Sequence, residues 1–409
     1  MNKFWVIVLT VFMSFSVFAD GDKKNNKADG AWENGVLYFR SGDDFSLRFD
    51  ARIFLDFARY SGSDYAYNGS DLRRGRLALK TKLHKYWLAE FDMDIADNQV
   101  EAKDMWAARL IGSNSMLKIG YYKVPFSMEE LTSSLIITFM ERSLANSFTP
   151  GRRMSIGYNY WGNYGQISTS VFGQEIGDSK GKSGDEALGF ALRGSLAYSI
   201  SDIIIHLGVG AFMETTEDDT GVIKVSSRPE TKVSKVKYLD TGDISDVEYN
   251  SVGNIEFALS YKFIRLQAEY MINKAFREND KRDLSFSGFY AHLGVFLTGE
   301  IKPYSVMAGE FLPVIPKRDF GAIELALRIS RLNLNDVGGD PDQEKIEGGL
   351  ATQYTVGLTW FFNTNFRIMF NYSYADNSKW SDGDGDYKKN IPEEGIDLHI
   401  FQSRFIANF

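Results

Sequence analysis

From Phe45 onward the chain alternates between apolar and polar residues. Between Phe45 and Phe57 every odd position is apolar (Phe45, Leu47, Phe49, Ala51, Ile53, Leu55, Phe57). The even positions hold Ser46, Arg48, Asp50, Arg52 and Asp56, with Phe54 the exception. Successive side chains of a β-strand leave on opposite faces, so this spacing predicts a strand with one wet face and one greasy face. Similar segments recur at about 72–83, 87–95, 100–110, 116–122, 154–160, 166–173 and 188–198. Others lie at about 203–212, 255–261, 264–272, 286–297, 322–334, 353–362, 366–374 and 398–409, making sixteen in all.

The charges decide what the greasy face touches. With the more apolar parity of each segment outside, the inner parity holds fourteen basic residues: Arg48, Arg52, Arg74, Arg76, Lys80, Lys82, Lys103, Arg109, Lys118, Arg193, Arg265, Arg328, Arg367 and Arg404. It also holds nine acids: Asp50, Asp56, Glu90, Asp92, Asp94, Glu101, Glu256, Glu269 and Glu324. The outer parity holds only Arg73, Asp104 and Arg331. A soluble sandwich alternates in the same way, but usually with shorter and fewer strands. In a membrane barrel the apolar face meets lipid, where a midplane charge costs roughly 2–4 kcal/mol. The pattern therefore predicts an all-β, transmembrane antiparallel barrel of about 16 strands over residues 44–409.

Connection lengths point the same way. The links 161–165, 199–202, 262–263 and 363–365 are short, whereas 123–153, 213–254, 335–352 and 375–397 are long. Short turns at one rim and long loops at the other are the outer-membrane pattern. The link 298–321 falls on the short-turn rim and is too long. Either that turn carries an insertion or one strand is misassigned.

The chain ends fit this reading. Lys3, an apolar run over 4–18 and the small-residue site Val17-Phe18-Ala19 predict an export signal over 1–19. Its removal takes one lysine, so the formal charge of −8 becomes −9. Residues 20–43 are polar and Gly/Asn/Asp/Lys-rich, and read as a flexible lead-in. At the other end Phe401, Phe405 and Phe409 share one face of the last strand, which resembles the signature of outer-membrane barrel assembly.

Composition mainly excludes. With no cysteine there is no disulfide framework, thiolate-zinc site or cysteine nucleophile. The acidic total argues against nucleic acid as a partner. His84, His206, His292 and His399 form no metal-ligand spacing, so neither a metal nor another cofactor is expected. His206 and His292 have inward parity, and with a serine and an acid either could serve a barrel-wall lipase. No local motif supports that, and a non-enzymatic protein is expected. Ser381-Asp-Gly-Asp-Gly-Asp386 resembles a calcium loop, but Glu393 and Glu394 are only loosely placed for a late ligand.

A barrel of sixteen to eighteen strands leaves an aqueous channel, so function rests on what narrows it. The narrowing candidate is 123–153, too long and too apolar for a solvated loop and expected to fold inward. It includes Val124-Pro-Phe-Ser-Met-Glu-Glu-Leu-Thr-Ser-Ser134 and ends in Phe148-Thr-Pro-Gly-Arg-Arg153.

At these residues the sequence resembles the phosphate-selective porins, the anion-specific porins of the outer membrane. The similar blocks are Leu117-Lys-Ile-Gly-Tyr-Tyr-Lys-Val-Pro-Phe126, the Glu-Glu-Leu-Thr-Ser-Ser run and Ile137-Thr-Phe-Met-Glu-Arg-Ser-Leu144. Later ones are Asp240-Thr-Gly-Asp-Ile244, 320–335 and Tyr354-Thr-Val-Gly-Leu-Thr-Trp-Phe-Phe362. Leu135 stands where the family often has a basic residue, a departure that bears on phosphate more than on the porin.

The resemblance implies a homotrimer in the outer membrane of a Gram-negative bacterium, among lipid and lipopolysaccharide. It implies passive diffusion of small anions, phosphate or related oxyanions, through a basic constriction. The residues it nominates are Arg73, Arg74 and Arg76 on the second strand and Lys118 and Lys123 beside the loop. Arg152 and Arg153 follow at the loop's end. Asp94 or Asp92 would orient a lysine and keep phosphate from binding too tightly. A general-diffusion porin or a sugar channel is the alternative, and the latter needs an aromatic track. Tyr86, Tyr122, Tyr290 and Phe296 form no obvious ladder.

Overall fold

The computed structural model describes residues 29–33, 35–42, 44–63, 66–96, 99–176, 186–216, 221–338, 345–378 and 395–409. The expected export signal and the Asp/Gly loop at 381–386 lie outside them.

All sixteen segments are strands. They are β1 (Phe45–Ser61), β2 (Gly69–Leu83), β3 (Trp87–Asp94), β4 (Glu101–Leu110), β5 (Ser115–Lys123), β6 (Arg152–Trp161), β7 (Gly165–Phe172) and β8 (Gly189–Ile200). Then come β9 (Ile203–Thr215), β10 (Val247–Tyr261), β11 (Ile264–Arg277), β12 (Leu284–Phe296), β13 (Ala322–Asp336), β14 (Ile346–Phe361), β15 (Phe366–Asn377) and β16 (Leu398–Asn408). Each pairs antiparallel with the next, and β16 pairs with β1, Ile400 standing opposite Tyr60. Closure leaves no unpaired edge among these sixteen strands. Part of the expected lead-in is paired as well: Asp29–Glu33 and Val36–Ser41 form a hairpin whose second strand runs beside the first turns of β1.

Burial follows the alternation. On β1, Asp50, Arg52 and Asp56 face inward and are buried, while Phe49, Ile53, Leu55 and Phe57 are exposed on the outer wall. Phe54, the exception in the alternation, faces inward and packs with Met140, Met369 and Ile406, where the 124–151 loop docks.

Two β-bulges correct the inside–outside count. Phe54 pairs with Arg74 and Leu55 with Leu72, which leaves Arg73 as an extra residue turned into the lumen. Phe91 pairs with Met105 and Met93 with Ala102, so β4 gains a residue and its parity inverts. Beyond that point Asp104 and Trp106 line the lumen. Arg109, expected inside, is exposed on the outer wall with its guanidinium 5.7 Å from the Trp87 ring centre. Counting by twos cannot see a bulge.

Three connections fill part of the lumen. The 124–151 loop carries a short helix, α1 (Met128–Leu131), and a 3-10 turn (Leu144–Phe148). Its Val124, Phe126, Leu144 and Phe148 form one core with Val225, Leu239 and Ile244 of the next long loop and with the wall residues Met271, Phe286 and Leu332. The third connection is the anomalous link 298–321. No strand is misassigned: the link is an insertion that rises into the lumen as a hairpin of Tyr304–Ser305 and Glu310–Phe311. Phe311 packs on Met128 and Ala258, and Lys302 donates to the Ile136 carbonyl at 2.5 Å.

Five inward arginines of β8–β16 hold these connections in place. Arg404 donates to both Asp56 oxygens at 2.6 and 2.7 Å, to Glu141 at 2.6 Å and to the Met140 carbonyl. Arg367 reaches the Leu135 carbonyl, Arg265 the Thr138 hydroxyl, and Arg328 the Glu141 carbonyl and the Glu230 carboxylate. Arg193 grips Glu256 with two bonds and the Gly309 carbonyl with a third. These cations are fasteners, which leaves the open path to the opposite wall.

Candidate functional site

That path lies against β1–β6. A cavity of about 560 Å³ is lined by Arg52, Arg73, Arg74, Arg76, Lys80, Lys103, Lys118, Lys123, Arg142 and Arg152. Glu90, Asp92, Asp104 and Glu310 also line it, with Trp106, Leu131, Ser133 and Ser134. Ten cations line it against four carboxylates, and Asp94, Glu101, Glu130 and Glu141 pair with lining cations from just outside, so the lining is positive but much of its charge is spent.

Strand β2 supplies four of them, Arg73 from its bulge and Arg74, Arg76 and Lys80 from its inner face, where steps are about 7 Å per two residues. Arg52 stands directly opposite Arg76. Like charges so placed destabilise a sheet. Strand β3 supplies the counter-charge: Arg76 is 3.0 Å from Asp94 and 3.6 Å from Asp92. Lys80 is 2.8 Å from Glu90, and Arg152 is 2.6 Å from Asp104. Lys118 sits between two rings, 4.0 Å from the centre of Trp106 and 4.3 Å from that of Tyr122, a cation–π clamp.

The neighbouring arginines of the bulge differ. Arg73 donates to both oxygens of Glu141, at 2.7 and 3.0 Å. Arg74 has no carboxylate nearer than Asp94, at 3.9 Å, and its buried Nε has no partner. The buried Ser134 hydroxyl, lining the same cavity, is also without one. An unmade hydrogen bond at a buried polar group costs about 1–3 kcal/mol, and Asp92 Oδ1 and Glu310 Oε2 of the same lining are unpartnered too, so the cavity holds open donors and open acceptors alike.

The loop's own carboxylates are consumed. Burial would raise the Glu130 carboxyl, but Arg142 and then Lys123 hold it down to about 2. Burial likewise opposes ionisation of Glu141, and Arg73 with Arg404 keep it well below the usual carboxylate range. Both therefore anchor the loop as anions. Above them a second cavity of about 370 Å³ shares Arg73 and Arg142 with the first and adds Arg228, Lys232 and Lys237. Lys232 is exposed to this vestibule, and partial desolvation by the surrounding loops lowers its ammonium to about 8, against the pull of nearby Glu141 and with the push of Arg73.

The sequence matches the phosphate-selective porin O and P family over residues 47–406. The chain belongs to that family. It is 24% identical to Porin O of Pseudomonas aeruginosa over 393 residues, covering 87% of this chain and 88% of that one. An uncharacterized protein of Caulobacter vibrioides is 25% identical over 391 residues, covering 89% and 76%. Among solved structures, the fold resembles an anion-selective porin from Comamonas acidovorans, with TM-score 0.53, 14% identity, 90% of this chain and 100% of that one. It also resembles OmpT of Vibrio cholerae in its trimer form, with TM-score 0.55, 10% identity, and 90% and 100% coverage. Family and fold together make this an outer-membrane porin.

Of the residues nominated from the porin's sequence, Arg73, Arg74, Arg76, Lys118, Lys123 and Arg152 converge on the cavity. Arg153 does not. It pairs with Glu175 at 2.8 Å and lines a separate pocket of about 260 Å³ near the long-loop rim. Asp94 is also outside the lining: it accepts from the Gly75 and Ala96 amides and fixes the β2 bulge rather than a lysine. Arg142, Ser133 and Ser134 were not singled out, although they lie inside the blocks that carried the resemblance. Glu310 and the vestibule cations belong to connections without periodicity, so nothing in the pattern marked them.

His206 is fully buried, bonded to Glu256 at 3.1 Å and the Tyr304 hydroxyl at 2.6 Å, with no serine on either nitrogen. Glu90, Asp92 and Asp104 form the acidic cluster that could hold a metal among the described residues, but each already pairs with Lys80, Arg76 or Arg152. Tyr290 and Phe296 are buried in the wall packing and add nothing to an aromatic track.

Proposed function

We propose that this porin conducts small anions passively and favours phosphate and related oxyanions. The observation that carries the reading is Arg74, whose nearest carboxylate is 3.9 Å away and whose Nε has no partner, in a cavity lined by ten cations and four carboxylates. Arg228, Lys232 and Lys237 draw anions into the vestibule, and Arg73 and Arg142 pass them to Arg74 and Arg76. A guanidinium fork matches tetrahedral oxyanions better than it matches a spherical halide. Glu90, Asp92 and Asp104 keep the site from holding its ion, since conduction needs binding weak enough to release. The family name and the anion-selective Comamonas porin support the same reading.

The long loops face outward and the short turns face the periplasm, with lipid and lipopolysaccharide around the apolar wall of a Gram-negative outer membrane. The assembly is a homotrimer, a reading supported by the trimer form of the Vibrio cholerae neighbour. Phosphate added to chloride across a planar bilayer should reduce the chloride current and saturate. Equal current with and without phosphate would leave a general anion porin.

A further inference from the structure

We propose that Arg59 and the groove beside it bind an anionic membrane lipid, with its phosphate on the guanidinium and an acyl chain along the wall. Arg59 has the outward parity of β1 and is exposed. It stands opposite Phe401, which stands opposite Tyr372, so its row on the outer wall is aromatic. A groove of about 560 Å³ runs here, lined by Arg59, Phe57, Phe370, Tyr372 and Phe401 among others. The five arginines that fasten the lumen connections all have carboxylate, carbonyl or hydroxyl partners. Arg59 makes no ion pair or hydrogen bond among the described residues.

Depth makes the unpaired charge informative. Phe366 and Phe409, with ring centres 5.7 Å apart, mark the short-turn girdle. Phe401 lies eight residues up β16 from Phe409, or about 20 Å along the normal for a strand tilted near 40°. That places Arg59 near the far edge of an apolar band about 25 Å tall, where a long cationic side chain reaches headgroup level. The other polar groups leave it free. The Tyr372 hydroxyl is 2.9 Å from His399 Nδ1, and nearer the rim Tyr374 donates to Asp397 at 2.6 Å. Asp397 also accepts from the Asn377 amide, so this acid is spent, and the exposed Asp376 stands beyond Tyr374 towards the rim. An apolar groove ending in one unspent cation is complementary to a phosphorylated, acylated ligand.

The inference depends on the barrel standing in a bilayer and not on which anion it passes. The test uses the purified porin in dodecyl maltoside micelles, titrated with dioleoylphosphatidylglycerol or dioleoylphosphatidylcholine, with bound lipid read by native mass spectrometry and by the melting temperature. Phosphatidylglycerol should be retained over phosphatidylcholine. Arg59→Ala should weaken it about fivefold, the effect of one basic residue at an anionic surface. Arg59→Lys should keep most of the preference, Phe401→Ala should weaken both lipids, and Lys274→Ala, an exposed cation elsewhere on the wall, should change neither. Undiminished phosphatidylglycerol retention by Arg59→Ala would overturn the proposal. So would an equal melting shift with inorganic phosphate alone, which would mean a free-anion site. Loss of the oligomer in Arg59→Ala with lipid retention intact would make Arg59 a subunit contact instead.

Discussion

Arg73 and Glu141 form a two-pronged ion pair, Nε to Oε1 at 2.7 Å and Nη2 to Oε2 at 3.0 Å, between the barrel wall and the loop that crosses it. Glu141 also takes Arg404 of β16, so one carboxylate ties the loop to the two strands that flank β1. It neutralises Arg73 and leaves the adjacent Arg74 as the unspent cation.

Removing one partner of a buried pair costs about 3–5 kcal/mol, because the other charge stays behind. Glu141→Gln should therefore loosen the 124–151 loop without unfolding the barrel. Single-channel records should show larger and noisier conductance, and limited proteolysis should cut the loop. Anion preference should hold or rise, since Arg73 is released.

Lys232 gives the vestibule a pH response. Its ammonium is held at about 8, below the usual lysine value, so its charge is full at pH 6 and is lost as pH rises through 8. Anion preference in a salt gradient should fall between pH 7 and 9. Lys232→Gln should start lower and flatten that fall.

The hairpin of the 298–321 insertion closes the far half of the lumen through Lys302, Tyr304 and Phe311. Replacing 303–312 by a short turn should raise single-channel conductance while reducing selectivity, because the new passage runs beside arginines already paired with carboxylates. Unchanged conductance would mean that the far half is sealed by the loops alone.

Much of this was legible in the alternation. Sixteen strands and an inward-folded loop follow from period two and connection lengths, and Phe54, the misfit of β1, marks where that loop docks. Arg73, Asp104 and Arg109 were misplaced because a bulge adds a residue without altering hydrophobicity. Arg153 looked equivalent to Arg152, yet Glu175 and Glu214 draw it to another pocket. The vestibule cations sit on a loop whose path depends on tertiary packing alone.

These placements separate residues by effect. Arg109→Ala and Arg153→Ala should leave reversal potentials within error of the parent, one lying outside the barrel and the other paired beyond the cavity. A shift in Arg109→Ala as large as that from a cavity residue would contradict the bulge in β4.

The most direct measurement is the reversal potential in a potassium chloride gradient for the parent and Arg74→Ala. An unscreened charge interaction at about 4 Å is worth about 1 kcal/mol even in water, or about fivefold in relative permeability. The parent should reverse on the chloride side, and Arg74→Ala should lose about that factor of anion preference with conductance largely kept. A cation-selective parent, or an Arg74→Ala porin as anion-selective as the parent, would contradict the assignment of this cavity as the anion path.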